Sequence, residues 1–593
     1  MSAPTEISSS PLVRGGMFLL SQADPADVFT PDDFSEEQRM IQQSTADFVE
    51  RELIPRMADL EAQKPGVNRE MMKKAADIGL LSLEIPEAYE GLGMDKACAM
   101  IVQEELGRYE SFGVTYSGHN GIGMQPIYSF GTEMLKRKYL PPLGSGTLVS
   151  AYALTEPGSG SDALGARTKA TLVDDGQAYL LNGSKMWITN AGFCDIFIAF
   201  AKVDGDKFTC FIVDRHAPGV TVGEEEKKMG LKGSSTRGLS FDNVKVPADH
   251  VIGEVGKGHK IAFNALNLGR FKLGAAAVGS GVWALREAVQ YAKERQQFGQ
   301  PIARFGAIQH KLAQMLVRLW VLRAMTTRTA GLLDRALARV DRNDMTAVMA
   351  AIENYSVECS ILKVHGTEAL QFVADEEVQV FGGYGFSAEY PAERRYRDCR
   401  VNRIFEGTNE INRLIITSRF LKKAAEGEVA LLPALEDATR TVGAGAAPAP
   451  AEGLDALQAV VDRGRRLVLF ALGHAWQKHG KALAQEQELL ALLSDMSITL
   501  YATESAWMRA VRKAQDRKSD ASRGLDIATV FANDAVNAWS DLARQVLAST
   551  LSGEALTRAC QQAATWLAFP PVDTVSIRRR LADGLLNADR IEV

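Results

Sequence analysis

"DIFIAFAKVDGDKFTCFIVD", Asp195 to Asp214, decides the architecture. Two apolar runs rich in Ile, Phe and Val flank Asp204-Gly205, a dipeptide suited to the positive φ angles of a tight hairpin turn. The stretch therefore predicts strand, turn, strand. Upstream, "AYLLNGSKMWITNA" (178–191) has the same β-branched and aromatic character, as does "GVTVGE" (219–224) downstream. Asp175-Gly176 and Asn182-Gly183 add further turn signals. Residues 149–255 are thus expected to form a small antiparallel β domain, a barrel or a sandwich.

On both sides the period changes to that of helices. "SEEQ" at 35–38 is a capping box, with Ser35 as N-cap and Gln38 three residues on. Met40, Ile41, Phe48, Val49, Leu53 and Met57 then supply one apolar helical face. The helix in "NREMMKKAADIGLL" is expected to stop at Gly79. These segments predict an N-terminal α domain over 35–148, preceded by an extended arm (1–34) rich in Ser, Pro and Asp. After "GKGHK" (256–260) long helices return, giving a second α domain over 256–428. "TVGAGAAPAPAEG", Thr441 to Gly453, is an Ala/Gly/Pro-rich linker that introduces a C-terminal helical extension, 429–593. The fold class is therefore mainly α with a central antiparallel β domain: α-bundle, β-barrel, α-bundle, plus the extension.

Bulk properties exclude several functions. At 593 residues the chain needs more than one core. The net charge of -6 and the dispersed Lys and Arg residues leave no footprint for nucleic acid. Six cysteines form no CxxC, and eight histidines form no HxxxH or HExxH, so no metal site is expected. The only early apolar run, Met17 to Leu20, is too short for a signal peptide, and no run approaches a membrane span. A cytoplasmic enzyme without signal or transit peptide is the expectation, with peripheral membrane contact left open.

Four stretches are chemically suggestive. "YALTEPGSGSD" (152–162) offers Gly158 and Gly160 among hydroxyls, suited to close approach of a phosphate or ring edge, though a plain turn needs the same residues. It is not GxGxxG and leads into strands, which disfavours a Rossmann site. In "KMWITNAG" (185–192), Trp187 suits a strand core or a stacking wall, and Thr189 a hydrogen bond. "FGGYGF" (381–386) places three glycines beside a helix, implying a sharp turn or close ligand approach, and "RQQFG" (295–299) puts an Arg near a helix end. "RIFEGTNEIN" (403–412) sets Glu406 between Phe405 and Gly407. There it is either a solvated loop acid or a general base in an apolar pocket. No GxSxG elbow and no Walker A occur.

The order of these stretches, with "STRGLSFDNVKVP", "NLGRF" and "QVFGGYGF", resembles the acyl-CoA dehydrogenase family over residues 35 to 425. "RGGMFLL", "GHNGIG", "FGAIQHKLA" and the C-terminal extension look most like its very-long-chain subgroup. The resemblance implies FAD as cofactor and desaturation of a fatty acyl-CoA between C2 and C3 in β-oxidation. It implies Glu406 as the base that removes the α-proton. Tyr152, Leu154, Thr155 and Ser161 would line the flavin and its phosphate, with Ser161 also near the substrate. Trp187, Ile188 and Thr189 would meet the flavin edge, and Thr408, Asn409 and Glu410 would close over the dinucleotide. Arg295, Phe298, Gln379 and Gly383 would contact the FAD of a neighbouring subunit, implying a homodimer. Asn267 and Arg270 would help place the CoA part, Gly407 would lie against the thioester and Phe405 would wall the acyl chain. Gly123 would open the acyl tunnel, and Pro126 would narrow that tunnel or kink its helix. Some relatives carry the base just before the Arg of "NLGRF"; here that position is Gly269. The resemblance names an electron-transfer flavoprotein as electron acceptor. It leaves open an acyl-CoA oxidase and a non-catalytic assembly protein of the same fold. The extension is expected either to touch a membrane or to pack on the dimer in place of a second subunit pair.

Overall fold

The run beginning at Ile196 is buried on both faces, and this double burial organises the centre of the molecule. In the computed structural model, which describes residues 13–445, 452–589 and 591–593, eight strands form one sheet. They are β1 (Ser150–Ala153), β2 (Lys169–Val173), β3 (Ala178–Thr189), β4 (Ile196–Val203), β5 (Lys207–Asp214), β6 (Val220–Glu225), β7 (Thr236–Pro247) and β8 (Val251–Ile252). The order is β6-β7-β3-β2-β4-β5-β8, with β1 also against β4. Because side chains alternate along a strand, Ile196, Ile198 and Phe200 of β4 pack with Ile127, Leu135 and Leu140 from the helices before the sheet. Phe197, Ala199 and Ala201 pack instead with Phe211, Leu239 and Phe241 from the sheet itself. The β4–β5 hairpin runs in unbroken antiparallel register, turning at Asp204 (φ 50°) and Gly205 (φ 87°), as the sequence predicts. β1 and β2, however, run parallel to β4. Apolar alternation reports which faces are buried and carries no record of a neighbour's direction.

The helices relevant to the site are α1 (Glu36–Phe48), α2 (Lys96–Leu106), α3 (Gly258–Glu294), α4 (Gly306–Leu337), α5 (Ser356–Phe381) and α6 (Asn409–Ala425). α1 opens with the expected reciprocal cap: the Gln38 N–H donates to Ser35 Oγ (3.1 Å), and the Ser35 N–H donates to Gln38 Oε1 (3.0 Å). α3 is buried along most of its length. It crosses α5 where Gly366 meets Gly274; a Cβ on Gly366 would lie 3.2 Å from the Gly274 Cα. Glycine at both positions lets the backbones approach this closely.

The extension, α7 (Gly453–His479), α8 (Gln487–Gln515) and α9 (Ala521–Thr550), packs directly on the preceding helices. Thr417 of α6 meets Ser494 Oγ of α8 at 2.6 Å, and Arg413 pairs with Asp495 at 2.7 Å. Part of the expected linker is helical: Thr441 to Ala444 end the helix Leu431–Ala444, and residues 446–451 lie outside the described residues. The leading segment is likewise no free arm from residue 13 onward. Phe18 is buried edge-on against Tyr501 (5.0 Å), and the Gly16 N–H donates to Glu358 (2.6 Å). Among the described residues, no helix is long and apolar enough to cross a membrane.

Candidate active site

Glu406 sits in a turn that the sequence makes strained. Its φ is +57°, unusual for a residue with a side chain, and Gly407 follows at +77°. The turn is held from three directions. Arg270 of α3 donates Nε–H to the Glu406 carbonyl (3.0 Å) and Nη1–H to Asn267 Oδ1 (3.1 Å). Asn412 Nδ2 donates to the carbonyls of Glu406, Gly407 and Thr408 (3.3, 2.9 and 3.0 Å). Thr408 caps α6, its Oγ1 accepting from the Ile411 N–H at 3.2 Å.

The carboxyl itself is left free. Glu406 Oε2 is buried and has no hydrogen-bond partner. Loss of hydration pushes its pKa up to about 7, against the pull of Arg270 and then Lys363. A buried, partnerless acceptor with its pKa raised towards neutrality marks a candidate functional site. Gly269 faces the same point: a Cβ there would lie 2.8 to 3.0 Å from the carboxyl atoms of Glu406. Positions 269 and 406 therefore converge in space, and only the second carries a carboxyl.

Tyr152 of β1 adds a second partnerless buried oxygen, its phenol, within electrostatic reach of Glu406. The loop after it is tied down by Glu156, which accepts from Lys185 Nζ (2.7 Å), Thr168 Oγ1 and the Arg167 N–H. Leu154 and Thr155 are half-buried there, Ser161 is exposed, and Cβ atoms on Gly158 or Gly160 would meet open space. Across the sheet, Trp187 is 53% exposed with φ +60°. A register shift between Lys185 and Ile188 turns it out of the strand's alternation, so it is no core residue. Ile188 is buried, and Thr189 touches the close-packed Gly118.

Arg295, Phe298, Gln379 and Gly383 lie elsewhere. Arg295 ends α3 and is about 37 Å along the helix from Arg270, at 1.5 Å per residue. Its guanidinium lies over Tyr384 at 5.4 Å, beside a cleft of about 480 Å³ lined by Tyr291, Phe381 and Gly383. Phe298 is 92% exposed at φ +51°. Such an apolar ring held out in solvent marks a surface suited to contact.

Two expectations change. Gly123 does not face open space: a Cβ there would lie 2.3 Å from Ser150 Oγ and 2.6 Å from the Gly118 carbonyl. Packing accounts for the glycine. Pro126 sits in the first turn of the helix Gln125–Phe130, so it starts that helix and kinks nothing. Two residues of the site went unread in the sequence, Lys363 and Glu156. A lysine inside the apolar run "SILKV" was the available signal for the first. Among the described residues no group of acidic, Cys and His side chains could hold a metal.

Comparison with known proteins identifies this body of helices, sheet and helices with its unpartnered carboxyl. The chain superposes on a crystal structure titled acyl-CoA dehydrogenase complexed with FAD from Bacillus anthracis (TM-score 0.95, 43% identity, 97% of this chain and 99% of that one). Family descriptions match in order: acyl-CoA dehydrogenase N-terminal domain at 35–147, middle domain at 151–244 and C-terminal domain at 256–421, with a further C-terminal domain at 463–562. The chain belongs to the acyl-CoA dehydrogenase family. It is 42% identical to a probable acyl-CoA dehydrogenase of Bacillus subtilis over 98% of both chains. It is 36% identical to the human very long-chain specific mitochondrial enzyme over 74% of this chain and 69% of that one.

Proposed function

We propose that the protein oxidises a long-chain fatty acyl-CoA to the trans-2-enoyl-CoA in fatty acid β-oxidation, as a homodimer that passes electrons to an electron-transfer flavoprotein. The observation that carries this reading is the partnerless, buried Glu406 carboxyl. An acyl thioester α-proton is too weakly acidic for a hydrated carboxylate, and an apolar site strengthens the base by denying it water. Arg270 and Asn412 hold the backbone, which aims the carboxylate and leaves the Glu406 N–H placed to support the thioester oxygen as charge develops there. Phe405 and Gly407 flank the reacting carbons, the first as wall and the second as a site of close approach. Asn267 and Arg270 bond to each other and to the base's carbonyl, so their part is to order the base as well as the substrate.

FAD is the cofactor of this family, and the residues fit it. The Gly158–Gly160 loop is open, Trp187 stands out from its strand and the Tyr152 phenol lacks a partner. Bound FAD supplies the acceptor for the hydride that leaves the β-carbon. Tyr152, Leu154, Thr155, Ser161, Trp187, Ile188 and Thr189 would hold its ring and phosphate, with Thr408, Asn409 and Glu410 closing over it. The distance from Arg270 to Arg295 favours a second subunit's FAD for Arg295, Phe298, Gln379 and Gly383. The long-chain preference rests on likeness to the very-long-chain enzymes. For the extension, its tight packing on α6 favours a structural role at the subunit surface over a membrane anchor.

Anaerobic mixing of the FAD-loaded enzyme with acyl-CoAs from butyryl to stearoyl tests the reading. Flavin bleaching should be fastest with the long chains and absent in Glu406→Gln, which retains FAD. Undiminished bleaching in that variant would remove Glu406 as the base. Peroxide formation in air at the rate of turnover would make the protein an oxidase.

A further inference from the structure

Lys363 is fully buried in the middle of α5, among Ile361, Leu362 and Val364. A buried ammonium is normally stabilised by a carboxylate beside it. This one instead donates to a neutral amide, Asn409 Oδ1, at 2.6 Å. Asn409 is also buried, and α5 grips it again one turn on. Asn409 Nδ2 donates to Thr367 Oγ1 (3.1 Å) and to Glu368 Oε1 (3.0 Å). Glu368 in turn takes a two-pronged pair from Arg413 of α6 (2.8 and 3.0 Å). Residues 363 and 367, one turn apart, share a helix face, and with the neighbouring Glu368 they hold the start of α6.

Asn409 lies only three residues after Glu406, across the left-handed pair Glu406–Gly407. A side-chain-bearing residue keeps such a conformation when its surroundings over-determine it. Arg270 constrains the turn from the α3 side and Lys363 from the α5 side. The Gly274–Gly366 crossing explains why both reach it: Arg270 precedes Gly274 by four residues and Lys363 precedes Gly366 by three, so each is about one turn from the close contact.

We propose that Lys363 is a positioning residue for the proton abstraction: it clamps Asn409 at the head of the base-bearing turn and supplies the second of two buried cations facing the Glu406 carboxylate. The inference rests on Glu406 being the base. The charged groups facing Lys363 are Glu406, Arg270 of α3, Glu410 of α6 and Glu368 of its own helix. Burial pushes the Lys363 pKa down to about 7, with Glu406 opposing and Arg270 adding to the fall. Glu406 rises to about 7 from the other side. The Lys363 ammonium opposes that rise, so removing it raises the pH needed to keep the carboxylate ionised.

The test uses the FAD-loaded enzyme, anaerobic flavin reduction across pH, and whichever saturated acyl-CoA from butyryl to stearoyl bleaches it fastest. In Lys363→Met the midpoint of the rate should move upward by about one pH unit, giving up to about a tenfold loss on the acid side. Lys363→Gln, which keeps a donor for Asn409 but no charge, should move it equally; Lys363→Arg should restore it. Hydrogen exchange without substrate gives a second readout: residues 406–412 should exchange faster in Lys363→Met than in wild type, Gln or Arg. A uniform rate loss in Met and Gln with an unmoved midpoint, while Glu406→Gln is inactive, overturns the inference and leaves the base assignment standing. Bleaching that survives in Glu406→Gln overturns both.

Discussion

Gly269 is the position where one methyl group should disable the chemistry while sparing the fold. In Gly269→Ala the new Cβ would sit 2.8 Å from Oε2, 2.9 Å from Cδ and 3.0 Å from Oε1 of Glu406. Ordinary carbon contacts begin near 3.5 Å, so the carboxyl must shift by on the order of half an ångström. It cannot shift freely, because Arg270 and Asn412 fix the carbonyl of the same residue. A misplacement of about 1 Å in a reacting group costs about a hundredfold. Half of that displacement predicts about a tenfold fall in flavin reduction, or about 1.4 kcal/mol of barrier. Stability should change little, since alanine gains about 1 kcal/mol over glycine inside a helix. Crowding of about 1 to 3 kcal/mol opposes that gain. Stopped-flow bleaching under anaerobic conditions, paired with a thermal melt and flavin absorbance, measures both. A variant that bleaches at the wild-type rate would refute the convergence of residues 269 and 406 on one reacting point.

Four further outcomes follow from the structure. Glu406 has a folded pKa near 7, above the usual 4.5, so its contribution to stability is fully present below about pH 4.5 and is lost as pH rises through 7. Glu406→Gln should accordingly be more stable than wild type by about 3 kcal/mol at about pH 8 and no different near pH 4, by chemical denaturation. The wild-type reduction rate should rise across the same window as the base ionises. Gly123→Ala forces a methyl into Ser150 and two backbone carbonyls, and should lower stability by about 1 to 3 kcal/mol while leaving the order of preference among chain lengths unchanged. Asp495→Ala removes a half-exposed tie between α8 and α6; a loss of about 1 kcal/mol in a melt is expected, because Arg413 keeps Glu368.

The legible parts of the sequence were those governed by neighbours in the chain. The capping box at Ser35, the hairpin at Asp204-Gly205 and the return of helices after Gly256 follow from local hydrogen bonding, φ preference and periodicity. Local pattern left Trp187 open between strand core and stacking wall, because alternation assumes an unbroken register; the shift between Lys185 and Ile188, visible only in the sheet, turns it outward. Thr441 to Ala444 looked like linker by composition, yet Val442 is buried and those residues continue a helix.

The sequence by itself determined the layered order of helices and sheet, and marked Glu406 as an acid beside an aromatic and a glycine. Only the tertiary structure decided that acid's surroundings. Gly269 facing its carboxyl, Arg270 on its carbonyl and Lys363 at Asn409 come from residues 43 to 137 positions away. Desolvation and opposing charge, which set its proton affinity, act through space and depend on which helices cross and how closely. No local pattern around "RIFEGTNEIN" encodes the Gly274–Gly366 contact that brings them together.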